Sequence, residues 1–106
     1  MIAMLRGAIA QRDLESTIVD VNGVGYLVQT PATVANGLVV GEEVLLHIST
    51  AVREDAITLY GFVSPEDRTT FEMLREVNGV GPRTALGILS QMDRSELHRA
   101  ISNEEI

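Results

Sequence analysis

The sequence contains no cysteine and no lysine, and its aromatic residues are few. Without cysteine the chain can form neither a disulfide nor a thiolate metal site. All eight basic residues are arginine, so lyase chemistry through a lysine Schiff base is excluded. Two tyrosines and two phenylalanines supply few of the rings on which single-strand-binding barrels stack bases.

Long apolar runs are missing as well. No stretch approaches the ~20 apolar residues that a membrane span needs, and the N-terminus lacks the charged start and apolar run of a signal peptide. We therefore expect a cytoplasmic protein with no membrane partner. Its 106 residues, 45% of them hydrophobic, suffice for one compact domain or two very small ones. The net charge of −7 argues against nucleic-acid binding, because such domains usually carry a basic excess.

The first part of the chain, residues 1–62, has the pattern of β-structure. β-branched and aromatic residues are concentrated in short segments, and Asn22-Gly23 between two of them is a strong hairpin signal. This pattern predicts a small five-stranded Greek-key barrel of the OB type, and an SH3-like barrel fits almost as well. Residues 31–37 are expected to form a turn or a short helical insert. The predicted strands cover residues 2–10, 17–21, 25–30, 43–49 and 57–62.

After residue 62 the pattern becomes helical. Ser64 can cap a helix and Pro65 suits its first turn, while carboxylates at the next two positions favour the positive helix end. Apolar residues then recur at helical spacing up to residue 77. We therefore divide the chain into a barrel domain, residues 1–62, and a helical domain, residues 64–106.

Two further helices are predicted in the second part of the chain. One follows Pro82 and the other starts at Asp93. Residues 102–105 have the S-x-x-E form of a capping box and precede an apolar residue. A helix thus begins where the sequence stops, and we expect the chain to be truncated. The predicted buried faces of the two helices consist of Ala85, Leu86, Ile88 and Leu89, and of Leu97, Ala100 and Ile101.

A tight Gly-Val-Gly turn, residues 78–82, separates the first two of these helices. Gly79 and Gly81 permit backbone angles and a close approach that a side chain would forbid. Val80 between them can fill the gap between the helices and hold the turn rigid. The pattern predicts a helix–hairpin–helix unit, whereas an ordinary connection that uses glycines for chain reversal is the simpler alternative.

Such a hairpin can bind DNA phosphates. The helix that follows presents unpaired N–H groups and its positive dipole end, which together suit an anion. Pro82 has no N–H, so the expected donors are the amides of Gly79, Gly81 and Arg83, and the Arg83 side chain and Thr84 hydroxyl can add contacts. Backbone amides can position DNA without many basic side chains. An acidic chain can therefore bind DNA, although weakly and with strong salt dependence.

Four segments resemble the RuvA family in their order and spacing, and the likeness runs along the whole chain. The resemblance implies an OB-like barrel followed by a helix–hairpin–helix domain in a homotetramer that holds a four-way (Holliday) junction open on one face. It also implies a RuvB motor and a RuvC resolvase as partners in DNA recombination and repair, with neither enzymatic activity nor a cofactor in this subunit. The matching segments are residues 21–26, 52–56, 59–62 and 78–82.

In this family an acidic hairpin tip from each subunit projects into the junction centre. The matching residues are Glu54 and Asp55, beside Arg53. The residues alone favour a solvated loop between two strands. The resemblance instead favours an acidic tip that projects into the junction centre. Four copies of two carboxylates would repel phosphates and help to keep the strands apart. The family's second hairpin motif, linker and small RuvB-contacting domain are not found in this sequence, in line with the expected truncation.

Three other functions stay open. A nuclease or glycosylase needs convergent carboxylates or a carboxylate in a base-sized pocket, whereas Glu54 and Asp55 are adjacent in one loop. His47 in a strand pattern and His98 on a polar helix face are expected to be structural or solvated, so no metal site is expected. A single-strand-binding barrel would stack bases on rings, but those in residues 59–62 are expected to be packed. A protein-interaction module would suit the negative charge and leaves the hairpin unexplained.

Overall fold

The computed structural model describes residues 1–91 of the chain. The predicted strands and the helices up to residue 91 are present there. The helix predicted from Asp93, the capping box at residues 102–105 and His98 lie outside the described residues. In chain order the elements are β1 (Met4–Arg12), β2 (Ser16–Val21), β3 (Val24–Gln29), α1 (Ala32–Gly37), β4 (Glu43–Val52), β5 (Ile57–Phe62), α2 (Pro65–Glu76) and α3 (Pro82–Gln91).

The five strands form a closed barrel in the order β1-β2-β3-β5-β4. Neighbouring strands are antiparallel except β3 and β5, which run parallel. Helix α1 is the insert between β3 and β4. This strand order with its inserted helix is that of an OB-like barrel, so the predicted fold class is confirmed in preference to the SH3-like alternative.

The hairpin turn between β2 and β3 forms as its two residues predict. Asn22 and Gly23 both have positive φ angles, 53° and 88°, as a type I′ turn requires. The Gly23 amide donates a hydrogen bond of 2.7 Å to Asp20 Oδ1. The turn sets the register of the two strands, and that register places Val19 and Val28 inside the barrel.

Two strands continue beyond their predicted ends. β1 continues to Arg12 because its register shifts between Ile9 and Gln11, and the extra residue lets pairing with β2 continue beyond an irregularity. β4 continues to Val52 because Ile57 on β5 lies opposite it and extends the antiparallel ladder. Both differences depend on a partner strand rather than on the local hydrophobic pattern.

The hydrophobic residues form two clusters. The first fills the barrel and includes Val19, Val28 and Leu46, all with 0% exposure. The second consists of Tyr60 and Phe62 from β5 with Phe71, Leu74, Ala85 and Leu86 from α2 and α3. The barrel and the helices therefore share a core across residue 63, and the division of the chain into two domains at that position stays a prediction.

Helix α2 begins as the sequence indicates. The Ser64 hydroxyl accepts a hydrogen bond of 3.1 Å from the Asp67 amide, Pro65 occupies the first turn, and Glu66 and Asp67 lie at the positive end of the helix. Phe71 and Leu74 are buried on the face that contacts the barrel. This packing determines where the chain leaves the helix and reverses.

Candidate nucleic-acid interface

The segment between α2 and α3, residues 77–81, is a compact chain reversal. The Val77 amide donates to the Leu74 carbonyl oxygen and the Val80 amide donates to the Val77 carbonyl oxygen, both over 3.1 Å. Gly79 has a φ of 86°, a conformation that residues with a Cβ rarely adopt. The prediction of a tight hairpin between two helices is confirmed.

Val80 anchors the hairpin to the protein. Its side chain is half-buried and packs against the cluster that contains Phe71 and Leu86. Ile88 and Leu89 pack against the same cluster from further along α3. The predicted role of Val80 as a filler between the helices agrees with this packing, which attaches the turn to the shared core.

The two glycines of the hairpin differ in a way that the sequence does not show. Gly79 has a positive φ, whereas Gly81 does not. The expectation that both glycines are required for unusual backbone angles is therefore wrong for Gly81. A Cβ added at either position would meet no atom within 4 Å, so the outer surface of the turn is open. Gly81 thus provides space beside the backbone rather than conformational freedom.

The backbone amides of Gly79, Gly81, Arg83 and Thr84 face no acceptor in the part of the chain that the structure describes. The Ala85 amide makes the first hydrogen bond of α3, 3.0 Å to the Gly81 carbonyl oxygen. For Arg83 and Thr84 this follows from helix geometry, since the first N–H groups of a helix have no partner inside it. Together with the positive dipole end of α3, these donors make the hairpin suitable for an anion.

The side chains of Arg83 and Thr84 are exposed beside these amides. Arg83 also lines a cleft of about 210 Å³ between the first turn of α3 and the barrel. Within residues 1–91 the Arg83 guanidinium has neither an ion pair nor a hydrogen bond, so it is free to contact a ligand. The cleft is lined by Glu15, Gln29, Thr58, Tyr60, Arg83 and Leu86.

Glu15 is the residue of this region that the sequence did not predict. It lies in the turn between β1 and β2 and lines the same cleft as Arg83. The two residues are remote in sequence and belong to no common motif, so no local pattern could have joined them. A negative charge at this place lowers the positive potential that Arg83 offers to a phosphate.

The acidic residues lie at the tip of the β4–β5 hairpin. The Arg53 amide donates a hydrogen bond of 2.8 Å to the Ala56 carbonyl oxygen and closes the loop. The side chains of Arg53, Glu54 and Asp55 are all exposed. Thr58, which follows this tip on β5, lines the cleft together with Arg83. The barrel therefore brings Thr58 of β5 and Arg83 of α3, which are distant in sequence, to one cleft.

The described part of the chain offers less support for a metal site or for a membrane-spanning helix. His47 is half-buried on β4, opposite Met4 on one side and Phe62 on the other. Residues 1–91 contain no group of three or more histidine, aspartate or glutamate side chains placed to hold a metal ion. Within the same residues, no helix has the length and hydrophobicity to cross a membrane.

Comparison with known proteins agrees with this architecture. The family model of the RuvA N terminal domain matches residues 1–61. The Holliday junction branch migration complex subunit RuvA of Pelobacter propionicus is 47% identical over 106 residues, which cover 100% of this chain and 54% of that protein. The proteins of the same name from Pseudomonas fluorescens and Thermobifida fusca are 44% and 46% identical, over 99% of this chain and 52% of their own lengths.

The chain thus spans about half the length of the curated relatives that it matches. The family model covers more than half of the chain, and the identity to these relatives extends from the barrel through the hairpin and beyond. The closed barrel is the fold expected of that domain. This chain belongs to the RuvA family.

Proposed function

We propose that this chain is a non-catalytic DNA-binding subunit that recognises four-way Holliday junctions and holds them open for branch migration by a RuvB motor in recombination and repair. Its relatives are named as subunits of a Holliday junction branch migration complex. The observation that carries the proposal is the hairpin at residues 77–81. Among residues 1–91 the amides of Gly79 and Gly81 and the Arg83 guanidinium have no hydrogen-bonding partner, and with the open glycine surface they suit a DNA phosphate.

The proposed contacts are made by the backbone. The amides of Gly79, Gly81 and Arg83 donate to phosphate oxygens, and the side chains of Arg83 and Thr84 add to them. Val80 keeps these donors in place by packing against the second cluster. Contacts to phosphates fix the position of a protein on DNA but carry no sequence information. Recognition through this surface therefore depends on the shape of the DNA rather than on its sequence.

The acidic tip supplies a complementary, repulsive element. In a homotetramer with the tips around its axis, Glu54 and Asp55 of each subunit face the crossover of the junction, beside Arg53. Uninterrupted duplex places phosphates against these carboxylates, whereas an open junction leaves room for them. Specificity then arises from a penalty on the wrong ligand as well as from attraction to the right one. The same proposal includes a RuvC resolvase as a partner and a cytoplasmic location.

A gel-shift titration tests this function. The 106-residue chain is titrated against a four-way junction and against duplex of the same arm sequence, while its mass is measured in solution. We expect tighter binding to the junction, a tetrameric mass and a steep loss of affinity as salt is raised. Equal affinity for the two DNAs, or no binding at low salt, would contradict the proposal. Metal-dependent cleavage of either DNA would favour a nuclease instead.

A further inference from the structure

Ser90 joins the last turn of α3 to the first residue of α1. Its Oγ accepts a hydrogen bond of 2.9 Å from the Ala32 amide. The same hydroxyl donates a hydrogen bond of 2.9 Å to the Leu86 carbonyl oxygen, one turn earlier in α3. The hydroxyl donates its single proton within α3, and a lone pair of the same oxygen accepts the hydrogen bond from α1. Ser90 thus has both of its hydrogen-bonding functions satisfied.

The bond from Ala32 also supplies what α1 lacks. The first N–H groups of a helix have no partner inside it and are usually satisfied by the side chain of the capping residue. The N-cap of α1 is Pro31, which makes no side-chain capping bond. Ser90 takes over this function from a helix that is far away in sequence. The start of α1 and the end of α3 are therefore held by one directed contact.

This contact differs in kind from the other interactions of α3. Among the hydrogen bonds within residues 1–91, it is the only one that joins α3 to the barrel or to α1. The apolar packing of α3 includes Ala85 and Leu86 in the second cluster and Ile88 and Leu89 against it. Apolar packing of this kind has no direction. A hydrogen bond requires a defined distance and angle. The Ser90–Ala32 bond is thus suited to fix the rotation and the axial position of α3.

We infer that Ser90 is a positioning residue that sets the orientation of the hairpin relative to the barrel. The eight-residue step from Pro82 to Ser90 corresponds to about 12 Å of helix, so a small rotation at Ser90 displaces the amides around Gly81. Binding to duplex involves only the hairpin. Recognition of a junction also involves the acidic tip of the barrel, so it depends on the position of the hairpin relative to that tip. This inference rests on the proposed function.

The test compares junction and duplex affinities of Ser90→Ala and Ser90→Thr with those of the unchanged chain. Ser90→Ala should weaken junction binding about 2- to 10-fold, the range expected for one hydrogen bond, and leave duplex binding unchanged. Ser90→Thr keeps the hydroxyl and should restore junction binding. Thr69→Ala is a matched control, because the Thr69 hydroxyl makes a similar bond to the Pro65 carbonyl oxygen but none to another element.

Ala32→Pro removes the same hydrogen bond from its other side. Proline is tolerated at the first helical position, and Pro31, with φ −57° and ψ 147°, already has the backbone conformation that a residue before proline adopts. Ala32→Pro should reproduce the selective loss of junction binding. The double variant should lose little more than either single one, because both changes remove one interaction.

Circular dichroism at the binding temperature establishes that each variant is folded. Unchanged junction affinity in folded Ser90→Ala, or an equal loss for junction and duplex, would overturn the inference. Additive losses in the double variant would overturn it as well. Failure of the unchanged chain to prefer junctions would instead contradict the proposed function, so the two failures are distinguishable.

Discussion

The ring of Tyr60 on β5 and the ring of Phe71 on α2 lie 5.0 Å apart, measured between centroids, and are inclined by 36°. The ring of Phe62, also on β5, lies at the same centroid distance from Phe71. The Arg75 guanidinium lies 5.9 Å from the Tyr60 ring and 5.8 Å from the Phe71 ring, within reach of cation–π attraction. Phe71 is therefore the residue through which the barrel and the helices stabilise one another.

Phe71→Ala should lower the free energy of unfolding by about 3–5 kcal/mol, because it removes a fully buried ring and leaves a cavity. Urea denaturation followed by circular dichroism measures the change. Leu27→Ala is the control, since Leu27 is 57% exposed and surface substitutions usually change stability by less than about 0.5 kcal/mol. A loss below about 1 kcal/mol for Phe71→Ala would show that the helices do not depend on this contact.

Gly81→Ala should weaken DNA binding without lowering stability. The added methyl group enters the open space in which the phosphate is proposed to lie, and the backbone of Gly81 needs no positive φ. Gly81→Val should abolish binding for the same steric reason. Gel-shift titration and thermal unfolding, performed on the same preparations, separate the effects on binding and on stability.

Gly79→Ala and Gly87→Ala complete this comparison. Gly79→Ala should lower both binding and stability, the latter by about 1–2 kcal/mol, because alanine is strained at positive φ. Gly87 is an exposed position within α3 that has no atom within 4 Å of an added Cβ. Alanine there should raise stability by up to about 1 kcal/mol and leave DNA binding unchanged. Full binding by folded Gly81→Ala and Gly81→Val would exclude the hairpin as the phosphate site.

Glu54→Gln combined with Asp55→Asn should strengthen binding to plain duplex and narrow the preference for junctions. The two exposed carboxylates oppose phosphates, and contacts between exposed charges change affinity by about 2- to 5-fold each. The effect should fade as salt rises, because exposed charges are screened. The measurement is a junction-to-duplex affinity ratio at two salt concentrations, in protein shown to be tetrameric.

The control for the acidic tip is Glu42→Gln combined with Glu43→Gln. This variant removes the same charge at the start of β4, the opposite end of the strand from the tip. If only net charge matters, the junction-to-duplex affinity ratio should change equally in both double variants. A local effect should change this ratio only in the tip variant. Unchanged junction selectivity of the tip variant at low salt would identify residues 53–56 as an ordinary solvated loop.

Glu15→Gln should strengthen DNA binding through Arg83. Both side chains line the same cleft, so loss of the carboxylate raises the positive potential at the guanidinium. The gain should vanish when Arg83 is replaced by glutamine, which a double-mutant cycle measures. Asp13→Asn removes the same charge in the same turn without lining the cleft. An equal gain for Asp13→Asn, or a gain that persists without Arg83, would show that only net charge matters.

The local features of this protein could be predicted because each depends on a few consecutive residues. Asn22-Gly23 specifies its turn by tolerating positive φ, and Ser64 caps α2 with its own hydroxyl. The hairpin around Gly79 follows equally from glycines placed between two amphipathic helices. The concentration of β-branched and aromatic residues in short segments indicated the strands, and with them the barrel.

Pairing between distant segments could not be predicted in this way. A periodic pattern tells which face is buried but not which element covers it, so the parallel pairing of β3 with β5 and the core shared by Phe62 and Phe71 depend on the folded chain. The extra residues of β4 exist only because β5 lies opposite them. Each of these contacts joins segments whose encounter is decided by the packing of the whole barrel.

The same distinction between local features and contacts of distant segments applies to the candidate site. Its donors and its acidic tip are local, since backbone amides at a helix start and carboxylates in a hairpin loop are properties of short segments. Their arrangement is not local. The cleft shared by Glu15 and Arg83 and the hydrogen bond from Ala32 to Ser90 require the barrel to close and α3 to pack against it. Chain connectivity alone does not bring such residues together; burial of the apolar faces between them does.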